Sequence, residues 1–157
     1  MKTIPLSKGM SAMVDDEDYA LFGGYKWYAT LSDDGRYYAK RRISAKHQIY
    51  LHREIMQAPS CVEIDHIDGN GLNNQKSNLR LCIRMQNAMN TIKRKQSAQS
   101  KYKGVCWHKG GKKWISKINP NGRTIYLGLF KNEIDAAIAY NKAAMKHFGE
   151  YARLNSV

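Results

Sequence analysis

A chain of 157 residues with 43% hydrophobic content is long enough for one ordinary domain or two small ones, and too apolar for wholesale disorder. Its 26 Lys and Arg against 13 Asp and Glu leave a net charge of +13, which points to a polyanionic partner, either nucleic acid or an acidic membrane surface. No apolar run approaches the roughly 20 residues of a spanning helix, Met1–Pro5 lacks the apolar core of a secretory signal, and Cys61, Cys82 and Cys106 include no C-x-x-C pair, so the expectation is a cytoplasmic, intracellular protein with reduced thiols.

Residues 3–50 read as short strands broken by turns, with the acidic run Asp15–Asp18 preceding the aromatic cluster Tyr25, Trp27 and Tyr28. Asp33-Asp34-Gly35 is a turn signal before the hairpin partner Tyr37–Ile43. A short helix is predicted over 51–57, ending before Ala58-Pro59. A strand over 62–67, a loop to Ser77 and a second strand over 79–83 lead into a helix from Arg84 to about Ile92, where Met85, Ala88, Met89 and Ile92 recur at helical spacing. The polar, basic stretch 93–101 reads as a linker. Three further strands are predicted over 102–107, 113–118 and 124–130, separated by turns at Gly110-Gly111 and Asn121-Gly122. A helix follows from about Glu133, with Asn132 as N-cap, an apolar stripe of Ala137, Tyr140, Ala144 and Phe148, and Gly149 as its stop. The fold class is α+β: a β-rich module followed by a small three-stranded antiparallel sheet packed on one helix.

The charge is not evenly spread. Residues 96–157 carry 11 basic and 3 acidic side chains, so +8 of the +13 lies in the last third. Alternation along 113–118 puts Trp114, Ser116 and Ile118 on one face and Lys113, Ile115 and Lys117 on the other. With Lys103, His108, Arg123 and Tyr126 as neighbours, the second face is basic and shaped to lie against a duplex.

The segment Asp65-His66-Ile67-Asp68-Gly69-Asn70, with Asn78-Leu79-Arg80 and Asn87 behind it, carries the chemistry. Asp65 supplies a hard oxygen ligand for Mg²⁺ or Mn²⁺, and Asn87 can add an amide oxygen. His66, neutral near pH 7, suits a general base. Adjacent strand residues point to opposite faces, so Asp65 and His66 would approach a phosphate from different sides. Asn78 would brace the loop or fix the imidazole. Asp68, Asn70, Asn73 and Asn74 read as turn residues. His52 and Arg53 stand between phosphate contacts and structural hydrogen bonds.

This pattern, Asp65-His66, Asp68-Gly69-Asn70, Leu72-Asn73-Asn74, Asn78-Leu79-Arg80 and Asn87, with Leu51-His52-Arg53 before it, resembles the HNH endonucleases of phage and intron-encoded homing type. The resemblance covers about residues 3–95. It implies a ββα-metal site with His66 as general base, Asn78 as the central Asn that orients the site, and Asp65 and Asn87 as ligands of a single divalent ion. Some members carry a Cys framework for zinc; this chain has none, and no structural zinc is expected. A second resemblance lies in Tyr102-Lys103-Gly104-Val105, Gly111-Lys112, Tyr126–Phe130, Ala136–Tyr140, Ala143-Ala144, Gly149 and Ala152–Asn155. It is similar to the plant Apetala-type, ethylene-response-factor DNA-binding domain, which binds the major groove through its sheet. The positions matching its contacting residues are Lys103, Cys106, His108, Gly110, Lys117, Asn119, Thr124 and Tyr126. Cys106 stands where that family has an arginine, Gly110 where it has a tryptophan and Lys117 where it has an acidic residue, so the base sequence read is not implied.

The expectation is therefore an endonuclease domain over 1–95, a linker over 96–101 and a DNA-binding domain over 102–157. The protein should act as a monomer on double-stranded DNA, away from membranes, nicking one strand with one Mg²⁺ or Mn²⁺. His52, Arg53, Lys103, His108, Lys112, Lys113, Lys117, Asn119, Arg123 and Tyr126 are the expected DNA contacts. The alternative is a DNA-binding regulator that keeps the nuclease scaffold without its chemistry.

Overall fold

The computed structural model describes residues 1–33, 35–91 and 100–157, which divide into two compact units, Met1–Asn87 and Ala88–Val157. In the first, β1 (Lys2–Pro5) and β2 (Ser11–Val14) form a ribbon, followed by α1 (Asp16–Phe22). A three-stranded antiparallel sheet comprises β3 (Tyr28–Leu31), β4 (Tyr37–Ser44) and β5 (His47–Tyr50). Helix α2 (Leu51–Met56) leads to the hairpin of β6 (Glu63–His66) and β7 (Leu79–Cys82), and α3 (Arg84–Met89) follows. The two-stranded sheets β1-β2 and β6-β7 would each be marginal alone. The sheets of this unit share one core, built from Ile4, Val14, Trp27, Ala39, Leu51, Ile55, Ile64 and Leu79. Leu51 and Ile55 present one face of α2 to it, four residues apart.

Helix α1 corrects the expectation of strands and turns alone over 3–50. Asp15 sits in extended conformation at its N-cap, and Asp16, Glu17 and Asp18 fill its first turn, where carboxylates favour the positive end of the helix dipole. The acidic run also holds the segment between β6 and β7. The Asp15 carboxylate accepts from Lys76 N at 2.8 Å and Gln75 Nε2 at 3.2 Å. Buried Asp18 meets Lys76 Nζ at 3.2 Å. Strand β2 adds a second tie, with Met13 N donating to Leu72 O and Asn74 N to Met13 O, both at 2.8 Å. Gly71 makes the third. A Cβ there would lie 2.5 Å from Tyr37 O and 2.6 Å from the Tyr38 ring, so only glycine lets this loop reach β4.

The second unit has β8 (Val105–His108), β9 (Lys113–Ile118) and β10 (Ile125–Phe130) in the order β10-β9-β8, all antiparallel, packed on α4 (Glu133–Phe148). The alternation along β9 is as expected: Ser116 and Ile118 are buried and Lys113 and Lys117 exposed. Strand β8 starts later than expected, because Tyr102 and Gly104 form the turn before it. Asn121 and Gly122 both take positive φ, 54° and 78°, as a tight Asn-Gly connection requires. Asn132 caps α4, its Oδ1 accepting from Asp135 N at 2.7 Å, and Gly149 ends the helix at φ 54°. Asn155 stitches the C-terminal segment down: its amide brackets Lys103 N and O, and its main chain exchanges two hydrogen bonds with Asn141. Helix α3 ends at Met89, short of the expected Ile92, with Asn90 in a turn; Ile92 itself and most of the basic linker lie outside the described residues. Among the described residues no helix is long and apolar enough to cross a membrane.

Gly104 has φ 75°, and a Cβ there would fall 2.0 Å from the Tyr140 ring, whereas one on Gly122 would meet nothing within 4 Å. Gly104→Ala should therefore destabilise the second unit by about 2 kcal/mol or more, and Gly122→Ala by about 1 kcal/mol, in chemical denaturation. Equal losses would contradict the packing of Gly104 under α4.

Candidate active site

Antiparallel pairing of β6 with β7 puts Asp65 opposite Arg80 and His66 opposite Leu79. The pleat sends Glu63 and Asp65 to one face and Ile64 and His66 to the other. Ile64 belongs to the core, and His66 follows it inward to 2% exposure.

On the inner face, the His66 ring meets Tyr38 and His52 edge-on, with centroids 5.7 Å and 5.1 Å away. His52 in turn stacks on Tyr50 at 5.1 Å. His66 Nε2 lies 3.4 Å from Asn74 Oδ1, a long hydrogen bond in which a neutral imidazole donates from Nε2. Burial pulls the His66 imidazole below its usual range, against the opposing pull of Asn74, Asp68 and Asp65. It is therefore neutral at neutral pH. Burial, with smaller contributions from His66 and Arg53, lowers His52 to about 3, and its buried Nδ1 has no hydrogen-bond partner among the described residues.

On the outer face, the fully buried Asp65 carboxylate receives two hydrogen bonds from Arg80, Nε at 2.9 Å and Nη2 at 2.6 Å, both on Oδ2. Asn87, on α3, donates from Nδ2 to Glu63 Oε2 at 2.6 Å. The Cys82 thiol joins these groups. Burial and the charges of Asp65 and Glu63 push it up to about 11, partly offset by Arg80 and by the Asn87 backbone. One carboxylate, a second carboxylate and one amide thus meet on a single side of the hairpin. Hard oxygen donors of this kind suit Mg²⁺ or Mn²⁺, which keep several waters and need few protein ligands. Among the described residues no group of three or more His, Cys, Asp or Glu side chains is arranged to hold a metal.

The loop between the strands is braced internally. Asn78 Oδ1 accepts from Asp68 N at 3.0 Å, and its Nδ2 donates to Asp68 Oδ1 at 3.0 Å and Asn73 O at 2.8 Å. Of the two roles expected for Asn78, these contacts serve the brace. Burial raises the Asp68 carboxyl, but hydrogen bonds from Asn70, Asn73 and Asn78 outweigh it and hold the group below its usual range. Asn74, read from sequence as a turn residue, is fully buried beside His66. Tyr38 and Tyr50 also escaped notice. Their signal was their alternation with Lys40 on one face of the β4–β5 hairpin, where Lys40 Nζ lies 4.2 Å from the Tyr50 ring centre.

Three expected DNA contacts have structural placements. Arg53 donates to the carbonyls of Val62, Ala58 and Pro59 at 3.0, 3.1 and 2.6 Å, bracing the connection from α2 to β6. His52 is buried against Tyr50 and His66. Lys103 Nζ donates to Met89 O and Thr91 O, at 2.6 and 2.8 Å. The others are exposed on the second unit. Lys117 faces Tyr126 across β9 and β10, and Lys113 faces His108 across β9 and β8. His108 Nδ1 accepts from Gly111 N at 2.9 Å and shapes the turn that carries Lys112. Asn119 and Arg123 flank the next turn.

No protein-family model matches the chain. It is 33% identical over 150 residues to an uncharacterized HNH endonuclease of Acanthamoeba polyphaga mimivirus, covering 96% of this chain and 77% of that protein. The chain belongs to the HNH endonuclease family. Shorter likenesses are to protein 3.8 of Escherichia phage T7, 38% over 65 residues (41% of this chain, 53% of that protein), and to dehydration-responsive element-binding protein 2D of Arabidopsis thaliana. The plant likeness is 43% over 61 residues, 38% of this chain and 29% of that protein.

The folded value of His52, about 3, lies below its ordinary 6.5, so the unfolded chain binds the extra proton first. The stability this supplies is present above pH 6.5 and is lost as pH falls toward 3. Between pH 7.5 and 5 the loss from His52 should be about 2 kcal/mol. His52→Phe should flatten the decline by that amount in denaturation curves; an unchanged slope would mean His52 is not buried neutral.

Proposed function

We propose that the chain is a metal-dependent DNA endonuclease that hydrolyses one phosphodiester bond per visit and so nicks duplex DNA. One observation carries this reading: neighbouring residues of β6 turn a neutral imidazole and a carboxylate to opposite faces, with Asn87 and Glu63 on the carboxylate side. A phosphate at the end of the hairpin would meet a base from one side and a cation site from the other.

Asp65 and Asn87 would hold a single Mg²⁺ or Mn²⁺. Bound there, the ion supplies neutralisation of phosphate charge and stabilisation of the leaving oxygen. Arg80 holds the Asp65 carboxylate in place through its two hydrogen bonds to Oδ2. Asn74, accepting from His66 Nε2–H, leaves Nδ1 as the basic nitrogen. His66 Nδ1 takes a proton from water as the water oxygen attacks phosphorus. The bond from phosphorus to the 3′ oxygen breaks and that oxygen takes a proton from solvent, giving 5′-phosphate and 3′-hydroxyl ends. Asn78 acts through the loop, holding Asp68 and Asn73 and so the shape of the turn that follows His66.

The second unit would act as an Apetala-type DNA reader, its outer sheet face lying in the major groove. Lys113, Lys117, Tyr126 and the exposed Lys112, His108, Asn119 and Arg123 support that contact. Arg53, His52 and Lys103 would contribute through the scaffold. With a single such site per chain, the chain would act as a monomer on one strand.

Supercoiled plasmid incubated with the full chain and Mg²⁺ or Mn²⁺ should convert to the open circle, and EDTA should stop it. His66→Ala should lower the rate by at least about a hundredfold. Binding without metal-dependent relaxation, on plasmid carrying a sequence selected for affinity, would instead favour a regulator that retains only the scaffold.

A further inference from the structure

We propose that Glu63 is a positioning residue that decides which end of the Asn87 amide faces the cation; the inference rests on the nuclease reading above. Glu63 lies outside the set formed by Asp65, His66, Asn78 and Asn87. It stands two residues before Asp65 on the same outer face of β6, and Asn87 Nδ2 donates to its Oε2 at 2.6 Å. Cys82, directly opposite Glu63 in the hairpin, feels the charges of both Asp65 and Glu63. Both carboxylates and the amide therefore belong to one cluster.

The two ends of a primary amide are nearly equal in size and opposite in chemistry. The oxygen binds a hard cation, whereas the NH₂ group presents two positive hydrogens and repels it. Nothing intrinsic to asparagine selects the productive end. An ionised carboxylate selects it, because it only accepts hydrogen bonds and so can be met by Nδ2 alone. Asp65 is also an acceptor and, left alone with Asn87, would draw the same NH₂ group toward the cation site. Glu63 draws the NH₂ the other way and leaves Oδ1 as the atom for the ion. Outer groups that orient a ligand in this manner change metal affinity by about 10- to 100-fold when removed.

The test is a Mn²⁺ titration of the full chain followed by electron paramagnetic resonance, with and without a short duplex. Glu63→Met removes the acceptor at similar length and should weaken Mn²⁺ binding about tenfold or more. Glu63→Gln keeps an acceptor oxygen for Nδ2 and should stay within about threefold of the parent. In nitrogen-15 NMR the Asn87 side-chain amide should exchange slowly in the parent and in Glu63→Gln, and rapidly in Glu63→Met. Parent-like binding by Glu63→Met overturns the proposal, and so does an equal loss in Glu63→Gln, which would make Glu63 a charge or a ligand. Fast exchange of the Asn87 amide in the parent overturns it without any variant. Asp65→Ala separates the two readings: if it leaves Mn²⁺ binding untouched, the nuclease site itself has failed.

Discussion

The register of one short hairpin governs the rest of the site. With β6 and β7 paired so that Asp65 meets Arg80, every odd position of β6 faces outward and every even position inward. A slip of one residue would take the Asp65 carboxylate from Arg80 to the apolar side of Ile4, Leu51 and their neighbours and turn the imidazole to the outer face. Four-residue strands cannot enforce register by themselves. The intervening loop enforces it, tied to β2 through Met13, to α1 through Asp15 and Asp18, and to β4 through the bare Cα of Gly71.

Holding two polar groups in such surroundings costs stability, and the two faces meet that cost differently. The His66 imidazole is kept neutral by burial among aromatic rings, so it needs no counter-charge. Asp65 is buried against the Arg80 guanidinium, and losing such a partner commonly costs about 3–5 kcal/mol. The same strand thus carries a proton acceptor in an apolar setting and a carboxylate in an ionic one. Those are the two electrostatic states that hydrolysis of a phosphodiester requires.

Much of this was legible in the sequence, because local chemistry specified it. The alternation along β9, the Asn-Gly turn, the Asn132 cap and the Gly149 stop depend on near neighbours alone, and the structure follows them. The Asp65-His66 pair and its opposite projection were readable for the same reason. What was not legible depends on partners far along the chain. The acidic run Asp15–Asp18 carried no structural assignment in the sequence; its meaning as a helix start and loop clamp appears only once Lys76, some 60 residues away, is beside it. Arg53 stood between a phosphate contact and a structural hydrogen bond, and Lys103 was expected on DNA; each meets main-chain carbonyls that no spacing rule points to. Asn74 looked like a turn residue because its contact with His66 needs the loop closed.

The central claim is that His66 and Asp65 serve different faces, one as a base and the other as a ligand. Paramagnetic relaxation from Mn²⁺ bound to the isotope-labelled full chain tests it most directly. Broadening should be strongest at the Asp65 carboxylate and the Asn87 side-chain amide, and distinctly weaker at the His66 ring nitrogens. If the His66 ring broadens first, the imidazole is itself a ligand and the two-faced account of the hairpin is wrong.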